Sequence, residues 1–387
     1  MNKDQFFNVI DFGSSIIRFT VFNDKSNQVF SESIPVNFEK SFTNHIDLIN
    51  NIVKKAEKKI SSHIENLILI TDSKDTISID ICFAKIFDKA ENINKVYANI
   101  IKEVSHIINS YYSKYIIIHS ILNKCIIDSI EHYDLPKNIK KINNIKVDLK
   151  FICYPKLFIN KVNQKFIENN LNISNVFCTS YLKSLSYVKK LNLKNISFLD
   201  IGWERSSFLN FNHNKLNFMQ TISIGSFHIT KDISKIFKIS TDEAEIIKKS
   251  FNKSETEFSY DKIKNENHFQ INQFFNKNIS IDLLKKVILY RIQEIFDLIY
   301  EKSNIRNSNF DFNFNNLFLI GQGSQLFNNN LFHIHDKFEF NSIKIYGETD
   351  ETICEAGLNY HLSKYDSYTF SDKKLGLFER FFNIFSK

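Results

Sequence analysis

The sequence predicts an α/β protein that contains an internal duplication, and three patterns support this prediction. Residues 7–22 and 196–209 each read as an apolar strand, an Asp-x-Gly turn and a second apolar strand. Residues 317–324 read as a buried strand that runs into a glycine-containing turn and the start of a helix. The two Asp-x-Gly turns lie about half of the chain apart, and a repeat at that spacing is typical of a duplicated fold unit.

The residues of these turns are of the types that bind phosphate. Backbone N–H groups in a tight turn form a concave nest for phosphate oxygens, and glycine lets the backbone approach closely. An Asp at a strand end can hold a hydrated Mg²⁺. We call residues 11–15 the first turn, 200–205 the second turn and 321–324 the third turn. Each Asp-x-Gly turn alone is better explained as an ordinary β-turn, and only the combination of the three turns favours a nucleotide site.

Residues 224–248, between the second and third turns, read as a Gly225-containing turn followed by two helices. The first helix carries Asp232. We expect Thr241 to be the N-cap of the second, because acidic residues follow it in the first helical turn. Glu245 and Lys248 are three residues apart and share a helix face, with an ordinary surface ion pair as the alternative to a functional pair.

The last thirteen residues, 375–387, predict a short amphipathic helix. Such a helix is too short to span a bilayer but can lie in its interface, and residues 367–374 before it read as a polar tether. The alternative is a helix that covers the core of the protein. The membrane-facing residues of the predicted helix are Leu375, Leu377, Phe378, Phe381, Phe382 and Phe385.

Composition excludes several classes of protein. The 387 residues are 43% hydrophobic and 24% charged, which is typical of a globular protein. The net charge of +7 is scattered along the chain, so we expect no nucleic-acid binding. Five cysteines lie far apart without a CxxC pair, which argues against a disulfide framework or a zinc site. With no signal peptide and no apolar stretch of about 18 residues, we expect a cytoplasmic protein that contacts the membrane peripherally.

The order of these segments resembles the actin/Hsp70/sugar-kinase ATPase superfamily and, within it, the bacterial cell-division protein FtsA family. Residues 224–248, IGSFHITKDISKIFKISTDEAEIIK, are similar to that family's G-x-x-x-x-T-x-D-I … A-E-x-x-K segment. Residues 119–138, HSILNKCIIDSIEHYDLPKN, resemble its H-x-I-P … D … P segment, with Leu122 where the first Pro is usual. An amphipathic helix after a tether is a further family feature.

The resemblance implies an actin-like fold with two lobes, each a mixed sheet flanked by helices, and a nucleotide cleft between them. It also implies a small inserted subdomain, with a helix at 96–112 and a strand at 147–152 that returns to the first lobe. The expected division of the chain is first lobe 1–73, inserted small subdomain 74–146, first lobe 147–192, second lobe 193–345, first lobe 346–366, tether 367–374 and amphipathic helix 375–387.

By the same resemblance the cleft would bind ATP and Mg²⁺, with Asp11 and Asp200 holding the metal through water. The three turns would surround the phosphates, and the segment between the second and third turns would surround the ribose and adenine. The residues implied are Asp11, Gly13, Ser14, Ser15, Asp200, Gly202, Gly225, Asp232, Glu245, Lys248, Gly321, Gly323 and Ser324.

The chain departs from the family pattern at the second turn. The usual D-I-G-G-G-T is replaced by Asp200-Ile201-Gly202-Trp203-Glu204-Arg205. Bulky residues resist positive φ and a carboxylate repels phosphate, although Arg205 could pair with a phosphate. The first turn lacks its usual Lys, and Gln322 separates two glycines that are usually contiguous. We therefore expect weakened nucleotide binding and no efficient hydrolysis.

The function implied is that of an adaptor that self-associates and tethers the FtsZ ring to the inner face of the cytoplasmic membrane. Its partners would be the FtsZ C-terminal peptide, docked on residues 230–302, other copies of itself, other division proteins and an anionic membrane surface. Lysines in that region, including Lys248, would steer an acidic peptide. Two alternatives remain open, a PilM-like pilus-assembly scaffold and a small-molecule kinase of the same superfamily.

Overall fold

The computed structural model describes residues 6–36, 42–253, 281–302, 316–326, 343–346 and 351–368. Its strands form three sheets. The first sheet contains β1 (Phe7–Phe12), β2 (Ile16–Phe22), β3 (Gln28–Pro35), β4 (Asn66–Thr71) and β9 (Asn172–Cys178). The second contains β10 (Asn195–Ile201), β11 (Ser206–Asn212), β12 (Lys215–Ile222), β13 (Leu317–Ile320) and β14 (Ile343–Ile345). The third contains β5 (Ile77–Asn92), β6 (Tyr115–Ile127), β7 (Ile130–His132) and β8 (Lys141–Pro155).

The first two sheets repeat the same topology. Their strand orders are β3-β2-β1-β4-β9 and β12-β11-β10-β13-β14. In each, an antiparallel meander is followed by parallel strands on the other side of the first strand. The predicted duplication and the two-lobed actin-like α/β fold are therefore confirmed.

Helices cover both faces of each of these two sheets, which explains why β2 and β11 are buried along nearly their whole length. The helices are α1 (Phe42–Ile60), α2 (Ile93–Tyr111), α3 (Lys156–Ile167), α4 (Thr179–Leu191), α5 (Ser226–Phe237), α6 (Thr241–Lys253), α7 (Ile281–Lys302) and α8 (Glu351–Tyr368). The outer face of the first sheet packs on α1 and α3, and that of the second sheet packs on α5, α6 and α7.

Helices α4 and α8 lie between the two large sheets and share one core with both. Tyr181 of α4 stacks on Phe211 of β11 with ring centroids 6.3 Å apart. Leu358 of α8 belongs to the same core, with 1% of its surface exposed. Aromatic rings dominate this layer, and each buries a large apolar area. The two lobes are thus joined by a continuous apolar core beneath the cleft.

The third sheet forms the inserted subdomain, and α2 covers one of its faces. The predicted helix at 96–112 is confirmed, although it begins earlier, where the Asn92 side chain accepts a hydrogen bond from Lys95 N. Its buried residues follow a helical period: Ile93, Val96, Ile100, Val104 and Ile108. The insert also contacts the second lobe, because Tyr133 stacks on His213 with centroids 4.9 Å apart.

Two details of the sequence prediction are wrong. Residues 147–152 do not begin a strand of the first lobe, because they continue β8, which pairs with β5 and β6 in the insert. No turn residue interrupts the apolar alternation of β8, so the strand runs unbroken to α3. Thr241 is not the N-cap of α6. Ser240 Oγ accepts from Glu243 N at 3.2 Å and Ser240 N donates to Glu243 Oε2 at 2.8 Å, which forms a capping box.

The exact limits of the predicted domains stay a prediction. The predicted tether overlaps the end of α8, which extends to Tyr368. The predicted amphipathic helix at 375–387 lies outside the described residues. Among the residues that are described, no helix is both long enough and apolar enough to cross a bilayer.

Candidate functional site

Three carboxylates lie where strands of the two lobes end at the cleft. Asp11 is in β1 and Asp200 is in β10, and they are 2% and 0% exposed. Asp72 directly follows β4, the parallel neighbour of β1. The sequence prediction missed Asp72. A signal was present in the sequence, because Asp72 follows a buried apolar strand, and Asp11 and Asp200 likewise lie at the ends of such strands.

A cation from the chain itself pairs with each of these carboxylates. Arg18 Nη1 donates to Asp11 Oδ2 at 2.8 Å, across the β1–β2 hairpin. Arg205 Nη2 donates to Asp200 Oδ2 at 3.0 Å and also to Asp72 Oδ2. Arg205 therefore joins the second turn to the first lobe.

Lys183 of α4 adds a further positive charge to this cluster. Its Nζ lies 3.6 Å from Asp200 Oδ1, and its side chain is 12% exposed. Removing one partner of an ion pair as buried as these strongly destabilises the folded protein. Lys183, like Asp72, was not predicted, because its position on the inner helix becomes apparent only once α4 is placed between the sheets.

Asp72 is also held by groups of the first lobe. Its carboxylate accepts hydrogen bonds from Ser180 N and from Ser180 Oγ, each at 3.2 Å. Cys178 Sγ donates to it at 3.2 Å. Burial raises the pKa of the Cys178 thiol, so the sulfur keeps the proton that it donates. A carboxylate with this many donors is held in one orientation, aimed at Arg205.

His119, the first residue of the family-like segment in the insert, lies under the same cluster. Its Nε2 accepts from Cys178 N at 2.8 Å, and its Nδ1 lies 3.1 Å from Tyr360 OH. The ring is fully buried and stacks on Phe177. Because both ring nitrogens are within hydrogen-bonding distance of these groups, His119 links β6 of the insert to the start of α4 and to α8.

The first turn is packed by its own backbone. A Cβ at Gly13 would lie 2.6 Å from Ile16 O, while Ser14 is exposed. Ser15 O accepts from Val36 N at 2.8 Å. Thr179 Oγ1, at the first residue of α4, donates to Asp11 Oδ1 at 3.3 Å and ties this turn to the inner helix.

The second turn is closed by hydrogen bonds to itself and to the start of α5. Gly202 N donates to Arg205 O at 2.9 Å, and Ser226 N donates to Gly202 O at 2.9 Å. A Cβ at Gly225 would lie 2.6 Å from Gly202 O, so only glycine permits this approach. Gly202 and Gly225, predicted separately, are therefore packed against each other.

The third turn packs against the same place. Gly321 has φ +86°, and a Cβ there would overlap Asp200 Oδ1. A Cβ at Gly323 would lie 2.8 Å from Ile201 O, and the fully buried Ser324 donates its hydroxyl to Gly321 O at 2.6 Å. The structure thus brings the second turn, the third turn and the Gly225 turn together as predicted, with little room between their backbones.

Trp203, the most unusual residue of the second turn, is buried. It is 8% exposed and stacks on Phe227 with ring centroids 4.9 Å apart and an interplanar angle of 21°. Lys248 Nζ lies 4.8 Å from the centre of its ring, in cation–π geometry. The indole therefore covers one of the residues expected to face the ribose or adenine.

Glu245 and Lys248 form a buried ion pair, which excludes the surface alternative. Lys248 Nζ lies 2.6 Å from Glu245 Oε2 and donates to Thr230 Oγ1 at 2.8 Å and to Ser226 O at 3.1 Å. Lys248 is 3% exposed, and this burial lowers the pKa of its ammonium from 10.5 to about 8.

Asp232 is held by Arg291 of α7, which joins α5 to α7. Arg291 donates from Nε to Asp232 Oδ2 at 2.7 Å and from Nη2 to Asp232 Oδ1 at 2.9 Å. This bidentate bond raises the pKa of Arg291. Both side chains are about a quarter exposed, so the pair lies nearer the surface of the lobe than Glu245 and Lys248 do.

Residues 198–331 match the family model described as cell division protein FtsA. This stretch of the chain is similar to FtsA, and the chain as a whole has the actin-like fold. The match covers the core of the second lobe, about a third of the 387 residues. No curated protein matches the sequence.

Solved structures with the same fold cover nearly the whole chain at low sequence identity. The PilM–PilN type IV pilus biogenesis complex has a TM-score of 0.60 and 11% identity, with 88% of each chain covered. MreB5 of Spiroplasma citri bound to ADP has a TM-score of 0.50 and 12% identity, with 95% of this chain and 99% of that chain covered. At such identities these likenesses show the fold alone.

The residues that line the cleft of this chain do not fit a nucleotide with Mg²⁺. The carboxylates that a hydrated metal would use are already paired with Arg18, Arg205 and Lys183. Trp203 lies over Lys248, and both are buried. Among the described residues, no group of three or more His, Cys, Asp or Glu side chains is arranged to hold a metal ion.

Proposed function

We propose that this chain is an actin-like cell-division adaptor that binds the inner face of the cytoplasmic membrane and recruits a filament of FtsZ. The observation that carries this proposal is the FtsA family match over residues 198–331, which lies on the lobe that holds the unusual turn. The expected peripheral helix at 375–387 supports the membrane part of the proposal.

The energy available to the proposed tail is sufficient for reversible membrane binding. A fully buried Phe side chain contributes roughly 1.5–3 kcal/mol, and the tail has four of them at Phe378, Phe381, Phe382 and Phe385. Nearby basic residues add up to about 1 kcal/mol each at an anionic surface. Ordering the helix opposes these gains, and self-association would increase the apparent affinity through avidity.

Co-sedimentation with anionic liposomes tests the membrane part. We expect deletion of 375–387, or the double change Phe381→Asp and Phe382→Asp, to release the protein from the vesicles without changing its melting temperature. Leu157→Asp is the matched control, because Leu157 is an apolar residue of α3 that is 85% exposed and is not part of the predicted tail sequence. Retained binding, or a melting temperature lowered by several degrees, would show that the tail covers the core instead.

The proposed site for the acidic FtsZ C-terminal peptide is the surface of α5 and α6. Lys231, Lys235, Lys238 and Lys249 are exposed there, whereas Lys248 is buried in its pair with Glu245 and takes no part in this surface. Clustered positive charge accelerates association of an acidic peptide. The peptide would therefore bind a basic surface formed by exposed lysines that lie outside the cleft.

Surface plasmon resonance at two salt concentrations tests this placement. We expect reversal of Lys231, Lys235 and Lys238 to Glu to slow association about tenfold or more and to weaken the salt dependence. The matched control reverses the exposed Lys54, Lys58 and Lys59 of α1, which makes the same change of charge on the first lobe. Equal effects of the two variants would refute a specific site on the second lobe.

Self-association, the remaining part of the proposal, is tested by sedimentation at rising protein concentration on lipid. Assembly with FtsZ favours the adaptor, and binding of pilus-assembly membrane proteins in place of FtsZ would favour the PilM-like alternative.

We also propose that the protein is at most a weak ATPase. Phosphate release at about 1–100 per second, the range of a kinase, would favour the kinase alternative.

A further inference from the structure

We propose that this chain closes its own nucleotide cleft, with the Arg205 guanidinium in place of the divalent cation and the Trp203 indole in place of the bound nucleoside. The two lobes are then held together without a nucleotide. Closure of the cleft by Arg205 and Trp203 does not depend on membrane or FtsZ binding.

The Arg205 side chain binds carboxylates of both lobes, which is the first argument for this proposal. Its Nη2 donates both to Asp200, which is fully buried in the second lobe, and to Asp72, which directly follows β4 of the first lobe. Its Nη1 donates to Ser207 Oγ at 3.0 Å, which fixes the plane of the guanidinium. Nη2 thus bridges two carboxylates that would otherwise repel each other, which is the role of a divalent cation in such a site.

The charges around Arg205 carry the second step. Asp11, Asp72 and Asp200 are matched by Arg18, Arg205 and Lys183, so this cluster is neutral as it stands. A nucleotide triphosphate with one Mg²⁺ is anionic, and its entry into a buried and already neutral cluster would add uncompensated charge.

The position of Trp203 carries the third step. The indole stacks on Phe227 and contacts the ammonium of Lys248, and only 8% of the residue is exposed. The polar groups of Glu245 and Lys248 are turned to each other and to Thr230. An aromatic ring already occupies the environment that these residues would offer to a base or a ribose.

Two kinds of variant test the inference in the full-length protein. The triple change Trp203→Gly, Glu204→Gly and Arg205→Thr restores the sequence usual in the family, and we expect it to bind Mg²⁺-ATP at least about tenfold more tightly than the wild type in calorimetry. Arg205→Ala leaves Asp72 and Asp200 without their shared cation. We expect Mg²⁺ alone to raise the melting temperature of Arg205→Ala but not that of the wild type.

The distance between the lobes is the second readout. Cys82 is the exposed native thiol of the insert, and Lys235→Cys introduces a second label on α5, while the four other cysteines are buried. We expect energy transfer between the two dyes to be the same with and without Mg²⁺-ATP in the wild type. We expect it to be lower in Arg205→Ala than in the wild type. Arg205→Lys, which keeps one charge but not the fork, should give an intermediate value even if the alanine variant folds poorly.

Arg291→Ala is the matched control. It removes an arginine that also binds an aspartate with two hydrogen bonds, but within the second lobe. It should leave both the Mg²⁺ response and the distance between the dyes unchanged. The inference is overturned if Mg²⁺-ATP stabilises the wild type by several degrees, if the triple variant gains no affinity, or if Arg205→Ala and Arg291→Ala behave alike.

Discussion

The first and second turns occupy the same place in two sheets of the same topology, yet their arginines act differently. In the first turn, Asp11 pairs with Arg18, its cross-strand neighbour in the same hairpin. In the second turn, the cross-strand neighbour of Asp200 is Ser207, and the pairing arginine is Arg205 within the turn itself. Because Arg205 lies in the turn, it can also reach Asp72 in the other lobe.

A duplicated fold unit can therefore keep its topology while the carboxylate of one copy pairs with a different cation. The strand orders and the close packing of Gly202, Gly225 and Gly321 follow the fold. Within the second turn, the departure from the usual family sequence comprises three consecutive residues, Trp203, Glu204 and Arg205. The first turn neutralises its carboxylate locally, whereas the second turn uses its cation to connect the lobes.

The largest expected effect separates these two modes of pairing. Asp11→Ala leaves Arg18, which is 7% exposed, without its buried partner, and we expect a loss of about 3–5 kcal/mol in the free energy of unfolding. Asp200→Ala takes one carboxylate from Lys183 but leaves Arg205 bound to Asp72, and we expect a smaller loss than for Asp11→Ala. Urea denaturation of both variants measures the difference. Equal losses would mean that Asp72 does not compensate for Asp200.

Glycine substitutions compare the backbone of the same two regions. Gly321→Ala places a methyl group against Asp200 in a residue with φ +86°, and we expect a loss of about 2–4 kcal/mol. Gly13→Ala meets only Ile16 O in a partly exposed turn without positive φ, and we expect about 1–2 kcal/mol. Denaturation curves decide, and a reversed order would place the tighter backbone at the first turn.

The buried Lys248 makes the stability of the second lobe depend on pH. Its pKa is about 8 in the folded protein and 10.5 as the ordinary value, so between these pH values the unfolded chain binds more protons. The free energy of unfolding therefore rises with pH in this window, on the order of 1–3 kcal/mol relative to Lys248→Met. The charged groups that face Lys248 are Glu245 and Lys249.

Denaturation at several pH values between 8 and 10.5 measures this difference. Lys54→Met is the matched control, because Lys54 is an exposed lysine of α1 in the first lobe and does not face Lys248. A wild-type curve parallel to that of Lys248→Met would contradict the burial of this ammonium.

The smallest effect concerns how helices begin in the two lobes. In the second lobe, α6 is capped by Ser240 and Glu243, whereas α4 of the inner layer has no side-chain cap at Cys178. We expect Ser240→Ala to cost about 1 kcal/mol, and Thr241→Ala much less. Thermal melts of the two variants distinguish them, and equal losses would restore Thr241 as the cap.

The sequence predicted the features that depend on local pattern. The Asp-x-Gly hairpins, the apolar strands and the insert helix follow from periodicity and turn chemistry, and the proximity of Gly202, Gly225 and Gly321 follows from the family resemblance. The bridge from Arg205 to Asp72 joins residues 133 positions apart, and no local pattern contains that distance. The error at 147–152 arose because an alternating strand has the same pattern in either sheet.

The burial of Glu245 and Lys248 also could not be predicted from the sequence. An acid and a base three residues apart on a helix have the pattern of a solvated pair, and only the packing of Trp203 over Lys248 shows otherwise. Trp203 itself was recognised as a departure, but its direction depends on Phe227 and on the turn at Gly225. Side-chain direction in a turn is set by tertiary packing.

The position of α8 determines the order in which the chain can fold during synthesis. Cys354 Sγ lies 3.9 Å from Val9 O, and Gly357 packs directly on Ile70, so the first lobe needs segments from both ends of the described chain. The second lobe, from Asn195 to Ile345, is continuous. Long-range contacts form late, and domains fold as units as they leave the ribosome. The lobe whose synthesis begins first is therefore the lobe completed last, because a nascent chain that ends before residue 351 lacks the helix that packs on β1 and β4 and that completes the core shared by the two sheets.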